Sequence, residues 1–164
     1  MALSPTFRLP RIADSDNPLR LAVFISGSGS GMEALLKHQL DTKCSHTTTI
    51  VISNIPGVAG LAKAEKYGIP TEVVELPPSL QRIVHEDMIH KVLINNNVEA
   101  IILSGYMRIL SPKFISKWEG RLLNVHPSLL PNFPGIHAHR DALKAGANKS
   151  GCTVHFVDSG VDSG

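Results

Sequence analysis

Asn124 and His126 stand two residues apart in the run Leu122-Leu123-Asn124-Val125-His126-Pro127-Ser128-Leu129-Leu130-Pro131. In a β-strand, residues i and i+2 point to the same face. The amide and the imidazole therefore project side by side where the apolar run meets Pro127. The carboxyl ends of strands are where open α/β sheets bind ligands. A donor amide beside a titratable imidazole suits a reaction in which an oxyanion develops and a proton moves. That chemistry is acyl-type transfer. The same pair also fits a satisfied polar contact closing a turn, so the surrounding sequence has to choose between the two.

A second chemical feature lies near the start. The apolar run Leu21–Ile25 leads into Ser26-Gly27-Ser28-Gly29-Ser30-Gly31 and then a helical pattern from Met32. Alternating Gly and Ser at a strand-to-helix turn exposes backbone N–H groups and hydroxyls, and the helix N-terminus favours an anion. A phosphate ester is the natural ligand. The loop is neither a Walker loop, since no Gly-Lys-Ser/Thr follows, nor a dinucleotide fingerprint, since its glycines alternate. A flexible turn without a ligand is the competing reading.

Several elements have to position these loops. Apolar, β-branched runs recur at Leu21–Ile25, Thr49–Ile52, Thr71–Val74, Ala100–Leu103, Leu122–Val125 and Thr153–Val157. Helical patterns lie between most of them, at Met32–Leu40, Val58–Tyr67, Ile83–Ile94 and Ala138–Ala145. Doubly buried strands alternating with amphipathic helices predict an α/β fold: an open, mostly parallel sheet with helices on both faces. Small polar residues end several strands, as in Ser26-Gly27, Ser53-Asn54 and Ser104-Gly105, and leave room for a ligand.

The 164 residues fit one domain, without internal repeat or linker. Apolar content of 43% and charged content of 18% describe an ordinary globular chain. A net charge of +2 without a Lys/Arg-rich window gives nucleic-acid binding no support. The apolar runs are too short to span a bilayer. Residues 1–19 hold Pro5, Pro10 and Pro18 and no signal-peptide core. They are expected to form a flexible leader ahead of a domain over 20–164, and Asp14 and Asp16 oppose an organellar transit peptide. Cys44 and Cys152 show neither metal-ligand spacing nor a disulfide framework, which points to reduced, cytoplasmic thiols. His38, His46, His85 and His90 read as surface residues. His137-x-His139 has no evident third partner, so no metal is expected.

Taken in order, the glycine loop, Gly105-Tyr106-Met107-Arg108-Ile109-Leu110 and Asn124-Val125-His126-Pro127-Ser128-Leu129-Leu130-Pro131-x-x-Pro134-Gly135 resemble the phosphoribosylglycinamide formyltransferase family. So do Ile136-His137-Ala138-His139-Arg140 and Val154-His155-Phe156-Val157…Asp162. The resemblance runs from about Arg20 to the last residue. It implies a Rossmann-like formyltransferase domain acting in purine biosynthesis, with 10-formyltetrahydrofolate as co-substrate and no metal. Glycinamide ribonucleotide and folate are the implied partners, without nucleic acid or membrane. Asn124, His126 and Asp162 match the family's catalytic trio, and Gly29, Ser30 and Gly31 its substrate-phosphate loop. Arg82, Met107, Arg108, Ile109, Leu110 and Asn124 match its folate-binding positions.

In the implied reaction the substrate amine attacks the formyl carbon. Asn124 donates to the oxyanion, protonated His126 donates and shuttles the proton, and Asp162 favours the imidazolium form. His137, His139 and His155 are close enough in sequence to support the site through hydrogen bonds. Asp162 also reads as a turn residue in Asp158-Ser159-Gly160-Val161-Asp162-Ser163-Gly164. Ile109 and Leu110 also read as core. Two departures stand out: the family loop commonly has Ser-Asn where this chain has Ser30-Gly31, and family chains continue past Asp162. The C-terminal part of the domain is therefore expected to be missing. The alternatives are another folate formyl handler, either a formyltetrahydrofolate hydrolase or a methionyl-tRNA formyltransferase domain, and a non-catalytic binding fragment.

Overall fold

The computed structural model of the protein describes residues 4–158. The chain alternates β1 (Leu19–Ile25), α1 (Ser30–Asp41), β2 (His46–Ser53), α2 (Ala59–Lys66), β3 (Thr71–Val73) and α3 (Arg82–Asn95). It continues through β4 (Ala100–Leu103), α4 (Pro112–Trp118), β5 (Leu122–His126), α5 (Ala138–Lys144) and β6 (Thr153–Phe156). The six strands form one sheet in the order β3-β2-β1-β4-β5-β6. Neighbours pair in parallel except β5 and β6, which are antiparallel.

Alternation along β1 builds two cores. Ala22 and Phe24 face one side with Ile50, Ile52, Ile101, Leu103 and Leu122, packed against Ile89 and Leu93 of α3 and Phe114, Ile115 and Trp118 of α4. Val23 and Ile25 face the other side with Val51, against Met32 and Leu36 of α1 and Leu61 and Ala64 of α2. Each of the large side chains among them contributes about 1.5–3 kcal/mol when fully buried. Helices thus cover both faces, as the doubly apolar strands require. Among the described residues, no helix is long and apolar enough to cross a membrane.

The chain turns from β1 toward β2 and β3 on one side, then returns to place β4 on the other side of β1. The carboxyl ends of β1 and β4 therefore flank the point where strand order reverses, the usual ligand crevice of such sheets.

Helix α4 is absent from the sequence expectation. It spans only seven residues, too short for a clear period. Its start signal is nonetheless present: Ser111 is the N-cap, its hydroxyl accepts the Phe114 N–H at 3.2 Å, and Pro112 occupies the first turn.

Among the histidines expected at the surface, His38 is exposed, while His46 and His90 are half-buried. His85 is a correction, being only 2% exposed. It shares the stripe of Ile89 and Leu93 at successive i, i+4 steps on the inner face of α3, and its Nε2 donates to the Val74 carbonyl at 2.7 Å. Ahead of β1, the Arg8 N–H donates to the Glu119 carbonyl at 3.0 Å, and Arg11 pairs with Glu99 at 2.6 Å.

Candidate active site

Three loops meet at the carboxyl edge of the sheet. The first follows β1. Gly29 is the N-cap of α1, in the left-handed region at φ 63° and without a side-chain cap. A Cβ there would lie 2.8 Å from the Gly60 Cα and from the Met32 Cε, so glycine is required by both φ and space. Gly60 itself donates its N–H to the Gly27 carbonyl at 3.0 Å, fastening the loop to the start of α2. The backbone N–H groups of Ser30, Gly31 and Met32 make no hydrogen bond among the described residues. Ser30 and Gly31 are exposed. Uncapped amides at a helix start are what an anion needs. A Cβ at residue 31 would lie 2.6 Å from the Ser104 Oγ, so the glycine here admits the hydroxyl at the end of β4.

The second loop follows β4. Gly105 turns the chain at φ 72°. Tyr106 packs edge-on against Phe24 with ring centroids 5.2 Å apart, and burial pushes its phenol up to about 12, so it stays neutral. The Met107 N–H donates to Ser26 Oγ at 2.8 Å, which ties this loop directly to the glycine loop. Ser26 in turn donates to Asn54 Oδ1 at the end of β2. Met107 and Ile109 are 59% and 73% exposed, while Leu110 is 6% exposed and packs in the α3/α4 core. The segment thus presents Met107, Arg108 and Ile109 outward and is anchored through Leu110.

Arg82, the first residue of α3, reaches this loop: its Nη2 donates to the Ile109 carbonyl, and its Nε lies 3.4 Å from Glu86 Oε1. Glu86 is buried at 4% exposure and accepts the Ser111 N–H at 2.7 Å as well as the Ser111 hydroxyl. Sequence reasoning missed Glu86. An acid among the charged residues of a helix carries no local sign that it will point inward, because its partners come from a loop 25 residues away.

The third part is β5 and the loop after it. Leu122, Asn124 and His126 alternate onto one face, with Leu122 in the α3/α4 core and the two polar residues toward the carboxyl end. Asn124 is paired across the sheet with His155, and His126 with Thr153. His155 Nδ1 lies 2.9 Å from the Phe156 carbonyl and must donate to it. His155 Nε2 therefore carries the lone pair in the neutral ring, and the Asn124 Nδ2 donates to it at 3.3 Å. The expected support from His155 thus takes the form of orienting the Asn124 amide.

His126 is buried, and its Nε2 donates to the Phe133 carbonyl at 3.0 Å. That carbonyl also accepts the Ser128 hydroxyl at 3.1 Å, and Phe133 holds it in place from a left-handed backbone at φ 53°. Thr153 pins the same loop to β6, donating to the Ser128 carbonyl at 2.8 Å and accepting the Leu130 N–H at 3.0 Å.

Most predicted residues thus converge on one edge: Gly29, Ser30 and Gly31, Arg82 with Met107–Leu110, and Asn124 with His126. Asp162 lies outside the described residues. The arrangement offers an anion cradle, a partly apolar wall, and an amide next to an imidazole.

Known proteins share this chain's pattern. The formyl transferase family model matches residues 19–164. The chain is 48% identical over 147 residues to the trifunctional purine biosynthetic protein adenosine-3 of Chironomus tentans, covering 88% of this chain and 11% of that protein. It is 39% identical to the phosphoribosylglycinamide formyltransferase of Escherichia coli (strain K12), covering 89% of this chain and 69% of that one. Among solved structures, the phosphoribosylglycinamide formyltransferase of Brucella melitensis matches with a TM-score of 0.82 at 45% identity, covering 87% of this chain and 74% of that one. Glycinamide ribonucleotide transformylase 1 of Geobacillus kaustophilus matches with a TM-score of 0.84 at 34% identity, covering 90% and 79%.

Proposed function

The chain belongs to the formyl transferase family, and on that premise we propose that the protein moves a formyl group from 10-formyltetrahydrofolate to the amine of glycinamide ribonucleotide. The observation that carries this reading is the side-by-side placement of Asn124 and His126 on β5, beside the crevice where the β1 and β4 loops meet. In this reading, the step belongs to purine biosynthesis in the cytoplasm.

The glycine loop receives the substrate phosphate, through the backbone amides of Ser30 and Gly31 and the field of α1. Met107, Arg108, Ile109 and Leu110 border the folate ring system, and Arg82 holds that border by its bond to the Ile109 carbonyl. With both ligands bound, the amine attacks the formyl carbon and the carbonyl oxygen takes up negative charge. Asn124, oriented by His155, donates an N–H to that oxygen, which contributes on the order of 10²–10³ in rate. His126 in its protonated form donates to the same oxygen and passes a proton toward the folate nitrogen that leaves. General acid–base work of that kind contributes on the order of 10²–10⁴. The Asp162 carboxylate favours the imidazolium. The amine loses one proton and the folate nitrogen gains one, so the exchange balances without another reagent.

Kinetics of Asn124→Ala and His126→Ala test the assignment. Each variant should fold normally and lose at least ~10²-fold in kcat, with much smaller changes in KM. Near-normal turnover in both folded variants would overturn the roles of the amide and the imidazole.

A further inference from the structure

At the opposite, amino-terminal edge of the sheet, the turn between α1 and β2 gathers three metal-ligating side chains. His38 sits in the last turn of α1, Cys44 in the connection, and His46 opens β2. One ligand atom from each of the three lies within 4.8 Å of the other two. The turn is held closed by Thr42. Its N–H donates to the His38 carbonyl at 3.1 Å, and its hydroxyl donates to the same carbonyl at 2.7 Å while lying 3.0 Å from the Cys44 Sγ. The His38 and His46 rings stand 6.3 Å apart between centroids and 31° from parallel. Sequence spacing hides the group, because only the reversal after α1 brings residue 38 over residues 44 and 46.

We propose that His38, Cys44 and His46 form a binding site for one divalent cation of the zinc class. Two imidazoles and a thiolate are the donor set that zinc and cobalt(II) select, whereas magnesium and calcium take oxygen ligands. Zinc bonds of about 2.3 Å to sulfur and 2.0–2.1 Å to nitrogen put tetrahedral ligand atoms about 3.3–3.6 Å apart. From separations of up to 4.8 Å the cluster has to contract by about 1.5 Å at most, a movement open to side chains at the protein surface. Cys44 binds as the thiolate and releases its proton to solvent. A water completes the fourth position.

The His46 ring already has a partner that must yield. Gln39 accepts the Thr48 N–H on its oxygen at 3.1 Å, so its amide nitrogen donates to His46 Nδ1, 2.9 Å away. An ion at Nδ1 takes the lone pair that Gln39 now holds, and an ion at Nε2 requires the Gln39 amide to turn. The first exchange leaves the Thr48 bond in place, whereas turning the amide also gives up the bond from the Thr48 N–H, so coordination through Nδ1 is the less costly of the two. The bound ion would clip the end of α1 to the start of β2. His38 stands eight residue steps along α1 from Ser30, about 12 Å from the glycine loop and at the opposite end of the helix from it.

Cobalt(II) titration of the whole chain under a non-thiol reductant is the test. It should develop a thiolate-to-cobalt charge-transfer band and four-coordinate visible bands, saturating at one equivalent and bleached by zinc. Cys44→Ser should abolish the charge-transfer band, and His38→Gln and His46→Gln should each weaken binding at least ~10-fold, the least that losing a metal's supporting partners costs. Cys152 joins no such group among the described residues, so Cys152→Ser should change nothing. A measurement without variants runs in parallel: zinc should protect Cys44, but not Cys152, from alkylation. Absence of the band, a band that follows Cys152, binding indifferent to both histidines, or unprotected Cys44 would each overturn the proposal.

Discussion

Replacing Glu86 with Ala should loosen the wall formed by Met107–Leu110 at its Ile109–Ser111 end, leaving the bond from Met107 to Ser26 of the glycine loop in place. The buried carboxylate accepts two bonds from Ser111, one from its N–H at 2.7 Å and one from its hydroxyl, and a longer one from Arg82 at 3.4 Å. The Arg82 side chain is 47% exposed, so that ion pair contributes at most a few tenths of a kcal/mol. The two Ser111 bonds to a charged acceptor contribute about 1.5–3 kcal/mol each. Deleting the carboxylate also removes the cost of burying it, which brings the net loss to about 2–4 kcal/mol. A domain with ordinary stability of about 5–15 kcal/mol stays folded after such a loss. Glu86→Gln keeps one acceptor oxygen and should lose about half as much. Denaturant unfolding measures the stability change, and steady-state kinetics separates the substrates. The KM for the folate donor should rise several-fold while that for the phosphate-bearing acceptor stays close to wild type. Equal rises in both KM values would mean general damage, and an unchanged donor KM would refute the anchoring role.

Gly29→Val should raise the acceptor KM far more than the donor KM, because the side chain meets Gly60 and Met32 and the left-handed backbone adds about 1–2 kcal/mol of strain; equal effects would indicate loop collapse instead. Gly31→Asn should be tolerated better when combined with Ser104→Ala, since the added Cβ falls 2.6 Å from the Ser104 hydroxyl; additive unfolding free energies would show that the two positions do not interfere. Glu99 is held below the usual carboxylate range by the Arg11 hydrogen bond first and by the Arg20 N–H as well. Its stabilisation is present above the ordinary carboxylate value and lost as pH falls through the depressed one. Melting temperatures followed into acid should therefore fall less steeply for Glu99→Gln, which starts lower at neutral pH; parallel curves would contradict this.

What could be read from the sequence follows from how local each signal is. Six apolar or β-branched runs mark the six strands: β1, β2 and β4 because burial on both faces leaves a near-continuous hydrophobic signature, the half-exposed edge strands β3 and β6 because Thr, Val and Phe favour extended backbone. Their ends differ by a few residues: β2 begins at His46, where polar residues pair along β1 without being apolar themselves. Asn124 and His126 were legible because strand alternation alone puts them together, and the glycine loop because alternating Gly and Ser after an apolar run mark a strand-to-helix turn. The bond between Ser26 and Met107 joins residues 81 positions apart, and Glu86 turns inward only because Ser111 meets it. Neither has a local pattern. His85 looked polar and therefore exposed, yet the helical stripe it occupies and the Val74 carbonyl satisfy it in the core. Ile109 and Leu110, adjacent and similar, part company at 73% and 6% exposure, a difference set by the tertiary turn alone.

The fate of the formyl carbon decides between transfer and its alternatives. The protein is incubated with 10-formyltetrahydrofolate carrying an isotope-labelled formyl group and with glycinamide ribonucleotide, and the label is followed by NMR. The label should appear as an amide on the glycinamide nitrogen, at a rate that collapses in His126→Ala. Label released as free formate whether or not the acceptor is present would contradict formyl transfer and point to a hydrolase. Label left on the folate by the folded protein would contradict catalysis altogether.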